Sequence, residues 1–139
     1  MKQITRNFHE REFRCRCKER GYTDLLSYCG GLSIYHPSLV EKLQEMRDKA
    51  KKPIIITSGY RCPAYNRRPE NNGGVGGADW SQHMLGRAAD IVIEGWDPVE
   101  VAALAEEVGF VGIGIYNTFV HVDVRDGAPA RWDYRTGVK

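Results

Sequence analysis

At 139 residues, the chain is long enough for one domain that buries about two thirds of the surface of its unfolded form. A formal net charge of +2 is too small for a concentrated basic face, which argues against nucleic acid as a partner. No apolar run approaches the roughly 20 residues that cross a bilayer, and residues 1–8 lack the apolar core of a secretory signal. We therefore expect a soluble protein that neither inserts into membranes nor uses Sec export.

The first part of the chain predicts an irregular arm, a helix and a strand. Residues 1–35 show no periodic pattern, and their aromatic side chains are expected to pack on the domain. From Pro37, apolar side chains recur at three- and four-residue intervals, which predicts an amphipathic helix that ends before Pro53. The β-branched run at 54–57 is typical of a buried strand.

A long loop is predicted between Arg61 and Gly77, because prolines and glycines there interrupt both helix and strand. Loops of this length in compact domains are usually functional or disordered, and the approach to His83 favours a functional role. After the loop, residues 89–93 form an apolar run that predicts a strand.

The last part of the chain predicts a helix, a hairpin and an irregular tail. An aspartate cap, a proline and a stop glycine bound a second core helix at 97–109. Two alternating runs, 112–116 and 119–124, predict a β-hairpin whose valines face the core while its polar side chains face a site. Residues 125–139 show no periodicity and are predicted to form the tail. With no internal repeat, we expect a single domain over 1–139.

The four cysteines, Cys15, Cys17, Cys29 and Cys62, do not follow a C-x-x-C spacing. A disulfide between Cys15 and Cys17 is awkward at this separation. Buried free thiols, longer-range disulfides and a second, structural metal site all remain alternatives.

Three residues in the second half of the chain suggest a metal site. His83 lies in the glycine-rich loop, Asp90 at the edge of the following strand, and His121 on a later strand. Two nitrogens and one oxygen around a borderline-soft ion such as zinc leave one coordination position open, as in catalytic zinc sites. Each residue alone is more often a loop histidine, a strand cap or a satisfied sheet histidine, so the hypothesis depends on the three together.

Four segments in one order carry a resemblance to a known family: Ser-Gly-Tyr-Arg at 58–61, Gly-Gly-Ala at 76–78, Ser-x-His-x-x-Gly-x-Ala-Ala-Asp at 81–90 and Phe-Val-His-Val-Asp at 119–123. Together they resemble the M15 peptidases, which are zinc D-alanyl-D-alanine carboxypeptidases and peptidoglycan endopeptidases. The similarity is to the compact bacterial and phage branch, and it extends roughly from Phe8 to Val124.

The resemblance implies an α+β fold, with a small antiparallel sheet and flanking helices like those of the hedgehog signalling domain. It also implies that His83, Asp90 and His121 hold one zinc ion. Arg61 would bind a substrate carboxylate or the charge that develops on the scissile carbonyl, unless it only forms a surface ion pair. Substrate contacts are expected from further polar residues: Ser81, Gln82 and, at the rim of the site, Tyr116. Ser81 and Gln82 could instead orient His83, and Ser81 could also serve as a loop cap.

The sequence departs from better-known relatives at the general base, which precedes their last zinc histidine by a few residues. Positions 116–119 carry no carboxylate or imidazole. Asp123 is the nearest group on the same strand face that could accept a proton, so it is predicted to act as the base. The alternative is a carboxylate that orients His121 or pairs with Arg61.

The expected function is hydrolysis of an amide bond in peptidoglycan peptides by a monomer acting at the cell wall. A phage or prophage endolysin, released through a membrane lesion, fits the absence of an export signal. The alternative is an inactive, zinc-stabilised module that binds the wall or belongs to a phage particle.

Overall fold

A five-stranded sheet covered by helices forms the framework of the protein. The structure is a computed structural model, and it describes residues 1–68, 77 and 81–137. The α-helices are α1 (Pro37–Ala50), α2 (Pro63–Arg67) and α3 (Pro98–Val108), and 3-10 helices lie at Glu10–Phe13 and Gln82–Leu85. The strands are β1 (Ile54–Ser58), β2 (Ala88–Ile93), β3 (Gly112–Ile115), β4 (Val120–Asp123) and β5 (Ala130–Asp133). These elements confirm the predicted α+β class.

The strand order is β1-β2-β4-β3-β5. The first four strands pair in antiparallel fashion, whereas β5 runs parallel to β3. The sheet is therefore mixed and not wholly antiparallel, and the prediction of an irregular tail over 125–139 is wrong at 130–133. Residues of β5 alternate between half-buried and exposed at the sheet edge, so the strand carries no apolar run that a sequence pattern could reveal.

The two long helices begin and end where their capping residues predict. The His36 imidazole accepts a hydrogen bond from the backbone of α1, in which proline occupies the first turn. Asp97 and Glu100 form a capping box at the start of α3, and Gly109 ends it with a φ of 89°. Helix α3 packs on β3 and β4, and α1 packs on α3. The main core lies between these helices and the sheet.

The loop predicted between Arg61 and Gly77 contains a short helix, so the prediction that no helix persists there is wrong for α2. Pro63 occupies the first helical position, where its missing N–H is not needed. Residues 69–76, which make up about half of the predicted loop, lie outside the described residues, as do 78–80.

The N-terminal arm is tied to the domain by aromatic side chains and by short backbone contacts. Phe8 and Phe13 are buried in the main core. The backbone N–H of Tyr60 donates to the Phe13 carbonyl at 3.0 Å, which joins the arm to the segment after β1. This contact positions the turn that supports the site described next.

Candidate metal centre

Three elements bring His83, Asp90 and His121 together, as the sequence predicted. His83 lies in the 3-10 helix Gln82–Leu85, Asp90 in β2, and His121 directly opposite Asp90 in β4. One ligand atom from each residue lies within 4.8 Å of the other two. All three side chains are buried. Their donor set is that of a catalytic zinc site, namely two imidazoles and one carboxylate.

The imidazole of His83 is fixed by a backbone carbonyl. Its Nδ1 lies 2.7 Å from the carbonyl oxygen of Gly59, which can only accept, so Nδ1 carries the proton. Its Nε2 faces the Asp90 Oδ1 at 3.1 Å. Burial lowers the pKa of His83, which favours the neutral ring. A neutral imidazole whose outer N–H is held by a carbonyl is the form that binds a metal.

The backbone around His83 is shaped by a cap and by a close approach. Ser81 accepts a hydrogen bond from the His83 backbone N–H at 3.2 Å and so caps the 3-10 helix. Gly59 must lack a side chain, because a Cβ there would lie 2.7 Å from the Cα of Phe13. The resulting path of the chain directs the Gly59 carbonyl at the histidine ring.

Asp90 is the central group of the site. Its Oδ1 lies 3.1 Å from His83 Nε2 and 3.3 Å from His121 Nδ1, and its Oδ2 accepts from Arg61 Nη2 at 2.8 Å. Burial alone would raise the pKa of this carboxyl, but His83, His121 and Arg61 hold it far below its usual range. The carboxylate is therefore ionised while it is buried, and its Oδ1 is directed between the two imidazoles.

Arg61 is anchored on Asp90 and is not a surface ion-pair residue. Its side chain is only 12% exposed. Besides its bond to Asp90, the guanidinium donates to Ser58 Oγ at 3.0 Å and to Asn66 Oδ1 at 3.5 Å. Asn66 is fully buried in α2. Arg61 thus fixes the orientation of a candidate metal ligand, while its predicted contact with substrate stays a prediction.

Asp123 orients His121 from the side opposite Asp90. Its Oδ2 lies 2.7 Å from His121 Nε2 and 2.7 Å from Arg125 Nη2. Its Oδ1 accepts from the Arg125 backbone N–H at 3.1 Å and from Nε at 2.9 Å. Burial raises the pKa of this carboxyl, but the hydrogen bonds from His121 and Arg125 outweigh burial and lower it. The arginine that pairs with Asp123 is Arg125, so the predicted pairing with Arg61 is wrong, whereas the contact with His121 agrees with the other predicted role of Asp123.

These contacts bear on the predicted role of Asp123 as a general base. The carboxyl is fully buried, both of its oxygens accept hydrogen bonds, and its lowered pKa makes it a weak proton acceptor. Such a group resembles the carboxylate that commonly holds the outer N–H of a metal-bound histidine. The geometry therefore favours the positioning role, and the proton-accepting role remains a prediction.

Two glycines of β3 make room for this arrangement. Gly112 pairs with Asp123 and Gly114 pairs with His121. A Cβ at Gly112 would overlap the Asp123 carboxylate, and a Cβ at Gly114 would overlap the Trp132 ring. The alternation of glycine and isoleucine therefore leaves one face of β3 open to the site while the isoleucines face the other way.

Aromatic rings border the site on the side of His121. The Trp132 ring lies 5.0 Å from the His121 ring, and its Nε1 donates to the Tyr116 hydroxyl at 3.0 Å. Tyr116 also stacks on Phe119 at 4.4 Å. Tyr116 thus lies beside the site, as predicted. The sequence analysis did not identify Trp132 or Arg125 as residues of the site. A large aromatic residue within a tail predicted to be irregular was the one feature that could have indicated Trp132.

The remaining predicted substrate residues lie next to His83. Ser81 acts as a cap, which was one of its expected roles. The Gln82 Oε1 is buried, and it has no hydrogen-bond partner within 1–68, 77 and 81–137. The substrate contacts proposed for both residues stay predictions.

Comparison with known proteins gives one family. A family model described as Peptidase M15 matches residues 6–123, a segment that contains His83, Asp90, His121 and Asp123. No curated protein matches the chain significantly. Among the described residues, no helix is long and apolar enough to cross a membrane. Because the matched segment covers most of the chain and includes its candidate metal ligands, the chain belongs to the peptidase M15 family of zinc-dependent metallopeptidases.

Proposed function

We propose that the protein is a zinc peptidase that hydrolyses an amide bond in the peptides of bacterial peptidoglycan. The observation that carries this proposal is the convergence of His83 Nε2, Asp90 Oδ1 and His121 Nδ1. A further hydrogen bond fixes the orientation of each ligand: the Gly59 carbonyl holds His83, Arg61 holds Asp90, and Asp123 holds His121.

The residues present fit a zinc ion. The Nε2 lone pair of neutral His83 faces an ionised carboxylate oxygen across 3.1 Å, so two acceptors point at each other and a cation between them would relieve the conflict. Three such ligands leave a fourth position for water or substrate. When bound, the zinc supplies Lewis acidity that polarises a carbonyl and lowers the pKa of water.

The protein's own groups act by positioning. The Arg61 guanidinium holds Asp90 so that Oδ1 and not Oδ2 is directed at the two imidazoles. Asp123 receives the outer N–H of His121 and, with Arg125, holds the ring against rotation. Trp132 covers one side of the His121 ring and orders the Tyr116 hydroxyl, which is the polar group that we assign to the substrate side of this rim.

The family supports a peptide substrate. That this peptide belongs to peptidoglycan is part of our proposal. A D-Ala-D-Ala carboxypeptidase and a cross-link endopeptidase both fit this chemistry, and both place the action of the protein at the cell wall. The net charge of +2 favours retention on an anionic wall polymer. In this proposal the protein is a phage or prophage endolysin, and its release through a membrane lesion of the host cell brings it to the peptidoglycan.

The test is digestion of intact peptidoglycan by purified protein, with released peptides identified by mass and bound zinc measured in parallel. His83→Ala removes one ligand, and His36→Asn is its matched control, because asparagine preserves the cap that His36 provides to α1. We expect the wild type and His36→Asn to bind zinc and release peptides, and His83→Ala to lose the zinc of this site and the activity.

The same experiment separates the alternative. Zinc bound by the wild type without release of any peptide from several wall preparations would contradict the peptidase proposal and support a binding module. Release of peptides by His83→Ala at the wild-type rate would show that this site does not carry the activity. The masses of the released peptides would identify which amide bond is cut.

A further inference from the structure

All four cysteines converge in a second cluster that shares no residue with the His83 centre. Cys15 and Cys17 follow the N-terminal 3-10 helix, Cys29 lies in the loop before α1, and Cys62 directly precedes α2. One sulfur from each lies within 4.8 Å of the other three. None of the four forms a disulfide, and three of them are buried. Convergence of all the thiols of a chain from three separate segments requires an explanation.

The spacing of the sulfurs suits a tetrahedral ion. A zinc–sulfur distance of about 2.3 Å in tetrahedral geometry places two sulfurs about 3.8 Å apart. The Sγ atoms of Cys17 and Cys29 are 3.7 Å apart. No two of the four sulfurs are more than 4.8 Å apart. Inward side-chain movements of about 1 Å or less would therefore give every pair the tetrahedral spacing.

Backbone N–H donors lower the cost of the thiolate form at two of the sulfurs, although burial raises the pKa of both thiols, Cys15 and Cys29, when no cation is bound. The backbone N–H of Cys62 donates to Cys15 Sγ at 3.4 Å, and that of Leu32 donates to Cys29 Sγ at 3.4 Å. Backbone N–H groups directed at sulfur stabilise its negative charge and hold the ligand in place, as outer partners do at metal sites. Because a thiolate is a stronger acceptor than a neutral thiol, these two N–H groups are better satisfied when the sulfurs bind a cation.

The packing of this region also calls for a cross-link. Between Phe13 and Pro37 the chain has no helix or strand, apart from a bridge between Arg14 and Ser33. Its large aliphatic side chains are exposed: Leu25, Leu26, Leu32 and Ile34. The buried cluster beneath it consists of cysteines and tyrosines. A segment of this length without secondary structure or an aliphatic core usually needs a metal or disulfides to be ordered.

We propose that Cys15, Cys17, Cys29 and Cys62 bind a structural zinc ion as four thiolates, independently of the His83 centre. Soft thiolates in a tetrahedral set select zinc, and a closed set with no open position is the structural type. Binding converts the thiols to thiolates and releases their protons to solvent, so affinity falls as the pH is lowered. The ion would join the N-terminal arm to Cys62, the residue next to Arg61, and so stabilise the segment that holds Asp90.

The first test is metal content of the purified protein. We expect about two zinc ions per wild-type chain, and about one in His83→Ala, because the thiolate site does not depend on that histidine. Cys29→Ser should also retain about one, while Ser27→Ala, an exposed change in the same loop, should retain both. Loss of all zinc in His83→Ala, or iron in place of zinc in that variant, would overturn the proposal.

Cobalt substitution tests the ligands directly and needs no cysteine variant. Thiolate-to-cobalt charge transfer gives near-ultraviolet absorption that imidazole and carboxylate ligands do not give. We expect this band in the wild type and unchanged in His83→Ala. Absence of the band would refute the thiolate site. Disulfides, seen as a native mass lower by two hydrogens for each disulfide, would refute it as well. Because His83→Ala lacks the other centre, failure of this proposal is distinguishable from failure of the proposed function.

Discussion

Replacing Asp123 by Asn distinguishes a positioning carboxylate from a proton acceptor. The substitution keeps the shape of the side chain but removes the charge that Oδ2 presents to His121 and Arg125, each at 2.7 Å. It also turns one acceptor into an amide NH2 group that faces two donors. These donors are His121 and Arg125 at the Oδ2 position, or the Arg125 backbone N–H and Nε at the Oδ1 position, so two hydrogen bonds are lost in either orientation. The two roles predict different measurable losses, because only the first acts through the metal ligand.

If Asp123 is a positioning residue, the contacts that Asp123→Asn removes determine the expected loss of zinc affinity. Loss of an outer partner of a metal-bound histidine typically costs about 10- to 100-fold in metal affinity, which equals about 1.4–2.7 kcal/mol. Loss of a hydrogen bond to a charged group is worth about 1.5–3 kcal/mol, so the two magnitudes agree. A general base would instead contribute about 10²–10⁴-fold to the rate and nothing to zinc affinity.

The assay is competition for zinc with a chelator of known affinity, followed by hydrolysis of peptidoglycan at saturating zinc. For Asp123→Asn we expect weaker zinc binding by about 10- to 100-fold and recovery of most activity when zinc is in excess. Asp126→Asn is the matched control, since that carboxylate is 90% exposed and forms an ion pair with Arg87. Unchanged zinc affinity with activity lost at saturating zinc would refute the positioning role and support the base assignment.

Three further predictions concern the groups around the centre. Gly112→Ala should lower the free energy of unfolding in urea by about 1–3 kcal/mol, because its Cβ would overlap the Asp123 carboxylate. Arg61→Lys should weaken zinc binding about tenfold in the chelator assay, because lysine cannot reproduce the planar guanidinium that holds Asp90. In chelator-treated protein, the lowered pKa of Asp123 stabilises the folded state at pH values above the pKa of about 4 that this group has in the unfolded chain. This stabilisation is lost as the pH falls towards the pKa of the folded state. The free energy of unfolding should therefore fall more steeply with acid in the wild type than in Asp123→Asn.

Each of these results has an outcome that would contradict it. The cost of Gly112→Ala should shrink in combination with Asp123→Ala, which removes the overlapped group, and an additive double variant would exclude the steric explanation. Wild-type zinc affinity in Arg61→Lys would show that Asp90 is oriented without the guanidinium. Parallel pH curves for the wild type and Asp123→Asn would show that this carboxyl does not contribute to the acid dependence.

Local chemistry was sufficient to predict most regular elements. Helix α3 begins at its Asp97 capping box and ends at Gly109, as the sequence indicated, because capping depends on residues three or four positions apart. The hairpin of β3 and β4 was predicted from alternation, which also places Val120 and Val122 in the core and His121 towards the site. These features depend on backbone geometry that a few neighbouring residues determine.

The candidate ligands were found from the sequence only as a set. His83, Asp90 and His121 are individually ordinary, and their order along the chain, together with the resemblance to M15 peptidases, identified them. Which ring nitrogen faces the metal was beyond the sequence, because it depends on the Gly59 carbonyl and on Asp123. The same holds for Arg61, which lies between β1 and α2, whereas its partner Asp90 lies in β2.

By itself, then, the sequence determined the elements that form through local contacts and the residue types available for chemistry. Only the tertiary structure decided how distant segments meet. Strand β5 pairs with β3 through backbone hydrogen bonds that leave no apolar pattern, and this pairing brings Trp132 over His121. The cysteines converge because an irregular arm folds back on the segment before α2, and the path of such an arm is fixed by non-local packing and not by residue spacing.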